Sequence, residues 1–385
     1  MTELACRMKK LQSDIEITVF CSDLAREDFS KRIKKKENYK GVNVVRVSNL
    51  GKLHGSVFSR IVFSVSFLSK TLIYCLFNSS KFDKILLTTN PPFLGIVPYL
   101  MGLIFKVPYI FICYDIYPQI AVKLEIIGKD SLVNKIWSKL NIYIYNRADK
   151  IVVIGKDMLE KVSKEMRIKD NNKLELIHNW SDKKSIFYVD KKKNKFLKKY
   201  NISNKKILLY SGTMGKTHNI EPILNSAVEL KNRKDILFVF IGGGTKKKLV
   251  EEFINLNKTD NILLLPYQPY EDLSDTLSSA TLSFVCLDSK FTGFSVPSKT
   301  YGIMATGTPI IGLIDRDSEI GNTIIKYNCG KIWNSGDNKS LSELLIEIIE
   351  NEKEIIEMSS NSLKAFSKNF DLSISASKYL NLINS

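Results

Sequence analysis

No CxxC pair occurs among the six cysteines, at positions 6, 21, 75, 113, 286 and 329, and most of them lie inside apolar strand-like or helical patterns. This excludes a disulfide framework and a zinc site, and leaves the thiols as reduced core residues of a cytosolic protein. The opening ten residues, Met1 to Lys10, lack the charged start followed by an apolar stretch that marks a signal peptide. An unbroken apolar run of spanning length is missing too. Phe93 to Cys113 comes nearest, but Pro98, Lys106 and Pro108 interrupt it, so it reads as a buried helix followed by a strand. Internal repeats and a low-complexity tail are absent. Acidic residues are in deficit: 40 Asp+Glu face 57 Lys+Arg, for a formal charge of +17. Such an excess points to an anionic partner, although lysine, asparagine and isoleucine are abundant together, and composition bias explains the charge equally well. No recognisable nucleic-acid motif accompanies it.

What is present is ordinary globular composition, 44% hydrophobic and 25% charged over 385 residues, enough for two domains of ~150 residues or more. Short apolar runs alternate with helical stretches throughout, the pattern of parallel sheets flanked by helices. The expected strands of the first half are Ile15–Phe20, Val42–Val47, Ile85–Thr89, Tyr109–Cys113, Ile151–Ile154 and Leu174–Ile177. Those of the second half are Ile207–Tyr210, Leu237–Ile241, Ile262–Leu265, Leu282–Leu287, Pro309–Gly312 and Gly330–Trp333. Two doubly wound α/β domains follow, 1–185 and 186–385, divided near the lysine-dense, glycine-free stretch Asp182–Asn201. The last helix, with Leu372, Ala376, Tyr379 and Ile383 at helical spacing, is expected to cross back to the first domain. A domain of this kind normally opens with a strand and a glycine loop, whereas Thr2–Leu11 reads as the helix that comes after them. The first strand and its loop are therefore expected to be missing.

The strongest local signal is Leu209 to Asn219 (LYSGTMGKTHN), an apolar strand entering a turn with Gly212 and Gly215 and expected to run on into a helix. Backbone N–H groups in such a turn face an anion, and Lys216 adds a mobile charge suited to a diphosphate. A tight turn carrying a solvated lysine accounts for the same residues. Further on, Phe294 to Pro309 opens another helix after a strand and places Ser298 and Lys299 at its start, a second cationic position. Asp317-Ser318-Glu319-Ile320 offers Glu319 as a carboxylate for ribose hydroxyls, against a simple first-turn acid. Asp315-Arg316-Asp317 matches a metal motif only in three letters, and no metal is assigned. His218, one of three histidines, follows Lys216 on the same turn and is placed near phosphate or sugar, with a helix cap as the competing role. Lys246-Lys247-Lys248, after Gly242-Gly243-Gly244, reads as a solvated helix start behind a glycine loop, and Trp180 as interdomain packing.

Taken in order along the chain, these residues resemble a family. The carriers are Thr88-Thr89-Asn90-Pro91-Pro92, Tyr114-Asp115-Ile116-Tyr117-Pro118, Arg147 to Lys150 with Val153-Ile154-Gly155, and Asn179-Trp180-Ser181-Asp182. To them are added Ser211 to Asn219, Val296 to Pro309 and Asp317 to Ile320. The sequence resembles the bacterial family 4 retaining glycosyltransferases of GT-B fold, in the subgroup of N-acetylfucosaminyl transferases for colanic acid or O-antigen.

The resemblance implies two Rossmann-like domains facing a cleft. The carboxyl-terminal one would hold a nucleotide sugar, a UDP-sugar in the first instance, and the amino-terminal one a polyprenyl-diphosphate-linked glycan. Gly212, Gly215, Lys216, His218, Ser298, Lys299 and Glu319 would bind donor, Lys216 and Lys299 neutralising the departing diphosphate without a metal or cofactor. Asp115 stands where many relatives place a histidine and is the candidate for positioning sugar or acceptor, against a strand-end turn residue. The family's two glutamates, with seven residues between them, are replaced here by Phe294 and Gly302. The expected function is transfer of a hexosyl or N-acetylhexosaminyl group, with retention, in cell-surface polysaccharide synthesis. Lys31 to Lys36 and the apolar, basic stretch Phe58–Phe77 would dock the protein peripherally on the anionic inner face of the membrane. A sugar-nucleotide epimerase and a catalytically impaired subunit are the alternatives.

Overall fold

A computed structural model of the chain describes residues 1–24, 33–51 and 57–385. Lys31 and Arg32 of the basic run lie outside the described residues. The chain forms two compact α/β units. The first comprises Met1–Ile154, Met158–Ile177 and Ser373–Ser385, and the second Gly155–Asp157 and His178–Leu372.

In the first unit, in chain order, come α1 (Thr2–Leu11), β1 (Thr18–Ser22), β2 (Lys36–Tyr39), β3 (Val42–Val47), α2 (Val57–Phe77), β4 (Ile85–Thr88), α3 (Ile96–Ile104), β5 (Tyr109–Cys113), α4 (Gln119–Lys123), α5 (Leu132–Arg147), β6 (Lys150–Val153), α6 (Lys156–Glu165, its first two residues in the second unit) and β7 (Leu174–Leu176). Strands β4-β5-β6-β7 make a parallel sheet, and β1-β3-β2 a separate one in which β1 and β3 are parallel and β2 runs antiparallel. Every residue of β5 (YIFIC) is buried, as an inner strand covered on both faces requires. Strand β2 is a departure from expectation. Its sequence, Lys-Glu-Asn-Tyr, is polar and mostly exposed, because an edge strand in a short sheet needs no apolar face. Lys36, grouped with the basic run, belongs to this strand.

Helix α2 is apolar on two faces. Phe63, Phe67, Thr71 and Cys75, four residues apart, are buried, with Phe67 and Tyr74 packed on Phe20 of β1. On the opposite side Phe58, Ile61, Val65, Ile73 and Phe77 stay exposed. Among the described residues it is the one helix long and apolar enough to cross a membrane. Helix α3 and strand β5 divide Phe93–Cys113 as its two prolines dictate.

In the second unit follow α7 (Lys195–Tyr200), β8 (Lys206–Ser211), α8 (Glu221–Glu229), β9 (Ile236–Ile241), α9 (Lys247–Asn257), β10 (Ile262–Leu265), α10 (Leu273–Ser278), β11 (Leu282–Cys286), α11 (Lys299–Ala305), β12 (Ile310–Leu313), α12 (Glu319–Tyr327), β13 (Gly330–Ile332), α13 (Leu341–Glu350) and α14 (Glu352–Asn369). The six strands form one parallel sheet in the order β10-β9-β8-β11-β12-β13. Strands β9 and β11 are buried throughout, and Phe238, Phe240 and Phe284 anchor a core completed by α8 and α13. Helix α13 carries a full capping box, Ser340 with Glu343. Helix α15 (Leu372–Asn384) returns to the first unit, where the Arg7 guanidinium donates to Ser373 Oγ at 2.6 Å and Lys84 Nζ to the Leu382 carbonyl at 3.2 Å. Both units are thus Rossmann-like, the composition of a GT-B fold.

Candidate functional site

From β8 the chain of the second unit winds outward through β9 to β10, and from β11 it winds the other way through β12 to β13. The sheet therefore reverses between β8 and β11, and in an open parallel sheet the crevice beyond the carboxyl ends at such a point receives ligands. The loops leaving these two strands are Gly212–Ile220 and Leu287–Ser298. A hydrogen bond from the Asp288 N–H to the Thr217 carbonyl, 2.9 Å, ties them together.

The first loop is fixed by the glycines that follow β9. The Met214 N–H donates to the Gly243 carbonyl at 2.7 Å, and the Lys246 N–H returns to the Met214 carbonyl at 2.9 Å. Gly242 has φ +134°, and a Cβ there would lie 2.1 Å from the Gly212 carbonyl oxygen; at Gly244 it would lie 2.6 Å from that of Met214. Only glycine fits this approach of two backbones. Tyr267, after β10, covers the pair, its hydroxyl 3.0 Å from Thr213 Oγ1. The loop continues to Ile220 before α8 begins at Glu221, so the turn does not open directly into a helix as its sequence pattern predicts. The reason lies in Lys246. Its ammonium bonds the His218 carbonyl at 2.8 Å and both Glu221 carboxylate oxygens at 2.7 and 2.9 Å, holding the loop away from a helical path. Lys246 is therefore a loop anchor, not a solvated helix start; Lys247 and Lys248 pair along α9 with Glu251 and Glu252.

Lys299, the first residue of α11, directly follows the second loop. Its Nζ is 3.6 Å from the centroid of the buried Tyr210 ring, near the Gly212 backbone, and it has no hydrogen-bond partner among the described residues. Burial pulls its pKa down to about 8, the nearby Cys286 opposing. An ammonium held under a ring face and left without an acceptor can take an anion as its partner. Tyr210 donates to the Thr213 carbonyl at 2.8 Å and also lies 3.0 Å from His218 Nδ1. Burial, followed by the charge of Lys299, brings His218 down to about 4. Lys216 is exposed on the same loop and has no partner among the described residues, while Ser298 is exposed at the start of α11 and makes no capping bond. The structure thus places Gly212, Gly215, Lys216, His218 and Ser298 on the two loops of the switch point and Lys299 at the helix start that follows the second.

Glu319 is engaged elsewhere. Its side chain is 7% exposed; Oε1 accepts from His178 Nε2 at 2.9 Å and Oε2 from the Lys156 N–H at 2.7 Å. The Asp157 carboxylate in turn accepts the Glu319 N–H at 3.1 Å. Burial would raise the Glu319 carboxyl, but the hydrogen bond and charge of His178 and the Lys156 amide outweigh it and hold its pKa below the usual value. This carboxylate, expected to face a ribose, is committed within the protein. Gly155 makes the cluster possible, for a Cβ there would lie 2.9 Å from that of Glu319.

In the first unit Asp115 follows β5, its N–H 3.4 Å from Thr89 Oγ1 of the neighbouring strand's loop. Beside it is a small cavity walled by Phe93, Tyr117, Trp137 and Tyr145, with the Tyr117 and Trp137 rings stacked 5.7 Å apart.

The site residues that sequence reasoning misses left signals only in part. The three consecutive glycines at 242–244 mark a close approach, whereas nothing local links Asp157, His178 and Glu319.

Residues 192–369 match the family Glycosyl transferases group 1, and this span contains both loops of the switch point. The match covers most of the second unit. Over 296 residues, 76% of this chain and 71% of the relative, the sequence is 28% identical to the probable glycosyltransferase WbjE of Pseudomonas aeruginosa. Among solved structures, sucrose-phosphate synthase of Thermosynechococcus elongatus superposes with a TM-score of 0.77 at 14% identity, covering 99% of this chain and 91% of that one. Anabaena HepE in complex with UDP and glucose gives 0.72 at 13%, with 100% and 96% covered. WaaG, a glycosyltransferase involved in lipopolysaccharide biosynthesis, gives 0.72 at 11%, with 100% and 95% covered. These likenesses establish the GT-B fold.

Proposed function

We propose that this protein is a retaining glycosyltransferase that moves a hexosyl or N-acetylhexosaminyl group from a UDP-sugar to a polyprenyl-diphosphate-linked glycan in cell-surface polysaccharide synthesis. The observation carrying the donor half is the buried, acceptor-less ammonium of Lys299 against Gly212 at the β8/β11 switch point. A diphosphate supplies the acceptor that this cation lacks. Lys216, mobile and exposed, closes over the same anion, and the backbone N–H groups of the glycine loop complete the cradle.

As the anomeric bond breaks, charge builds on the departing diphosphate and the sugar takes on oxocarbenium character. Cations already in place for that charge stabilise the transition state more than the bound donor. One preorganised donor of this kind contributes ~3 kcal/mol. Ser298, at the same rim, offers a hydroxyl to a phosphate oxygen. Residues 1–185 would serve the acceptor and 186–385 the donor. In the first, Asp115 would position the incoming hydroxyl beside the aromatic cavity. UDP is favoured by HepE, solved in complex with it, and the surface-glycan setting by the likeness to WbjE and WaaG. The exposed apolar face of α2 suits docking on the cytoplasmic face of a membrane, where such lipid carriers lie.

The test is a panel of UDP-sugars, followed by hydrolysis and by transfer to membrane-extracted lipid-linked glycans. Turnover with one donor supports the reading. Tight UDP-sugar binding without any turnover favours an impaired subunit, interconversion of the free UDP-sugar an epimerase, and absence of binding to every donor removes the proposal.

A further inference from the structure

His218 has an arrangement that a phosphate ligand does not explain. Its Nδ1 lies 2.7 Å from the Thr213 carbonyl oxygen, which can only accept; this short contact outweighs the 3.4 Å approach of the Gly215 N–H to the same nitrogen, so Nδ1 carries the proton. The Tyr210 hydroxyl donates to that same carbonyl and thereby fixes the ring from behind. The other nitrogen, Nε2, then presents a lone pair. It makes no hydrogen bond among the described residues and is open to solvent.

The charges around the ring keep it in this form. Lys299 on α11 and Lys246 before α9 both oppose a third positive charge, and Lys216 stands on the same loop; Glu221 on α8 is already paired with Lys246, and Asp288 with Lys290. A neutral imidazole with its free nitrogen unprotonated cannot donate to a phosphate oxygen. Such an oxygen is itself an acceptor, and the lysines satisfy it. What Nε2 can receive is a hydrogen bond from a group that carries its own proton.

We infer that His218 accepts a hydrogen bond from a hydroxyl of the transferred sugar, and so reads the sugar while Lys299 and Lys216 read the diphosphate. This rests on the reading that the two loops hold a nucleotide sugar, and assigns within it the residue that distinguishes the sugar from the free nucleotide.

The experiment compares affinities for UDP, UDP-glucose and UDP-N-acetylglucosamine in the full-length protein and in His218→Ala, His218→Gln and His218→Lys, with thermal unfolding of each variant as the control for folding. For the UDP-sugar that wild type binds best, His218→Ala should lose about tenfold in affinity, the usual worth of one hydrogen bond with its partner left unpaired, while UDP stays within about twofold. His218→Gln, whose amide oxygen still accepts, should recover most of the loss. His218→Lys, a donor only, should bind UDP more tightly without restoring the sugar increment. Equal losses for UDP and UDP-sugar in His218→Ala would assign the residue to the diphosphate and overturn the inference alone, as would unchanged affinities in every variant. A folded wild type that binds neither UDP nor any UDP-sugar overturns the nucleotide-sugar reading itself.

Discussion

Asp157 and Glu319 each hold the first turn of the other's helix. The Glu319 N–H, opening α12, donates to Asp157 Oδ2 at 3.1 Å, and the Lys156 N–H, opening α6, donates to Glu319 Oε2 at 2.7 Å. Helix starts leave amide hydrogens without partners, and carboxylates there gain both the bond and the helix dipole. Glu319→Ala leaves the Lys156 amide and the partly exposed His178 imidazole without their acceptor, so unfolding stability should fall by about 1–2 kcal/mol. Glu319→Gln should cost less, and should also flatten the acid side of the stability profile. The folded-state pKa of Glu319 lies below its unfolded value, so its contribution is present above that value and lost as pH falls through the carboxylate range. Urea titrations of wild type and both variants across acidic pH check this.

On the proposed function, Lys299 receives an anion and its burial costs the free protein stability. Replacing it with methionine removes a buried ammonium that has no acceptor and leaves a side chain of similar length over Tyr210. Lys299→Met should raise stability by about 1–3 kcal/mol while weakening UDP binding by tenfold or more, roughly the worth of a charge-assisted bond. The sign of the pH effect separates the two roles. Because the folded pKa is about 8 against an ordinary 10.5, the folded state binds fewer protons between those values, and wild-type stability gains as pH rises through that window. UDP affinity should move the opposite way, falling as Lys299 loses its proton above about pH 8. Calorimetric binding and thermal unfolding over that range decide the matter, and a destabilised Lys299→Met would contradict the assignment.

The ease with which the strands can be read in the sequence follows from their burial. Inner parallel strands such as β9 and β11 are apolar on both faces, so Leu237–Ile241 and Leu282–Leu287 stand out as continuous runs. Strand β2 does not, since Lys36–Tyr39 lies on a sheet edge and keeps its polar side chains in water. The same contrast holds in the site. Gly212, Lys216 and Lys299 belong to local strand–loop patterns, and the fold brings them to one switch point. Lys246 is not legible as an anchor, because its partners, the His218 carbonyl and Glu221, lie 25 and more residues away and meet it only through the sheet order. Glu319 resembles a free first-turn acid for the same reason, its partners being 141 to 163 residues distant.

The interlocked glycines allow a sharper steric test. A methyl group at Gly242 would have to occupy a point 2.1 Å from the Gly212 carbonyl oxygen, at a φ of +134° that L-residues avoid. Backbone, not a flexible side chain, is the obstacle. Gly242→Ala should therefore displace the 212–218 loop, lowering stability by about 3 kcal/mol and UDP affinity by more than tenfold. Gly336, where an added Cβ would meet nothing within 4 Å and φ is not positive, is the control position at which alanine should be nearly neutral. Equal behaviour of the two alanines in urea titration and UDP binding would mean the two loops are not locked together.

The exposed stripe of α2 predicts a change in membrane binding that leaves the fold intact. Ile61, Val65 and Ile73 are 55%, 58% and 53% exposed, and Leu103, Ile104 and Phe105 at the end of α3 carry the apolar surface on to Lys106. Their removal from water is worth nothing to the folded protein by itself, but each apolar side chain inserted among lipids gains ~1 kcal/mol or more, and each nearby lysine or arginine adds ~1 kcal/mol at an anionic surface. Changing Ile61, Val65 and Ile73 together to serine should leave thermal stability within about 1 kcal/mol of wild type. The same change should weaken binding to vesicles of anionic phospholipid by tenfold or more. Wild type should be released from membranes by a high-salt wash, because attachment without a span depends on the charge. Retention after that wash would count against peripheral docking, and undiminished vesicle binding by the triple variant would show that α2 is not the surface that docks.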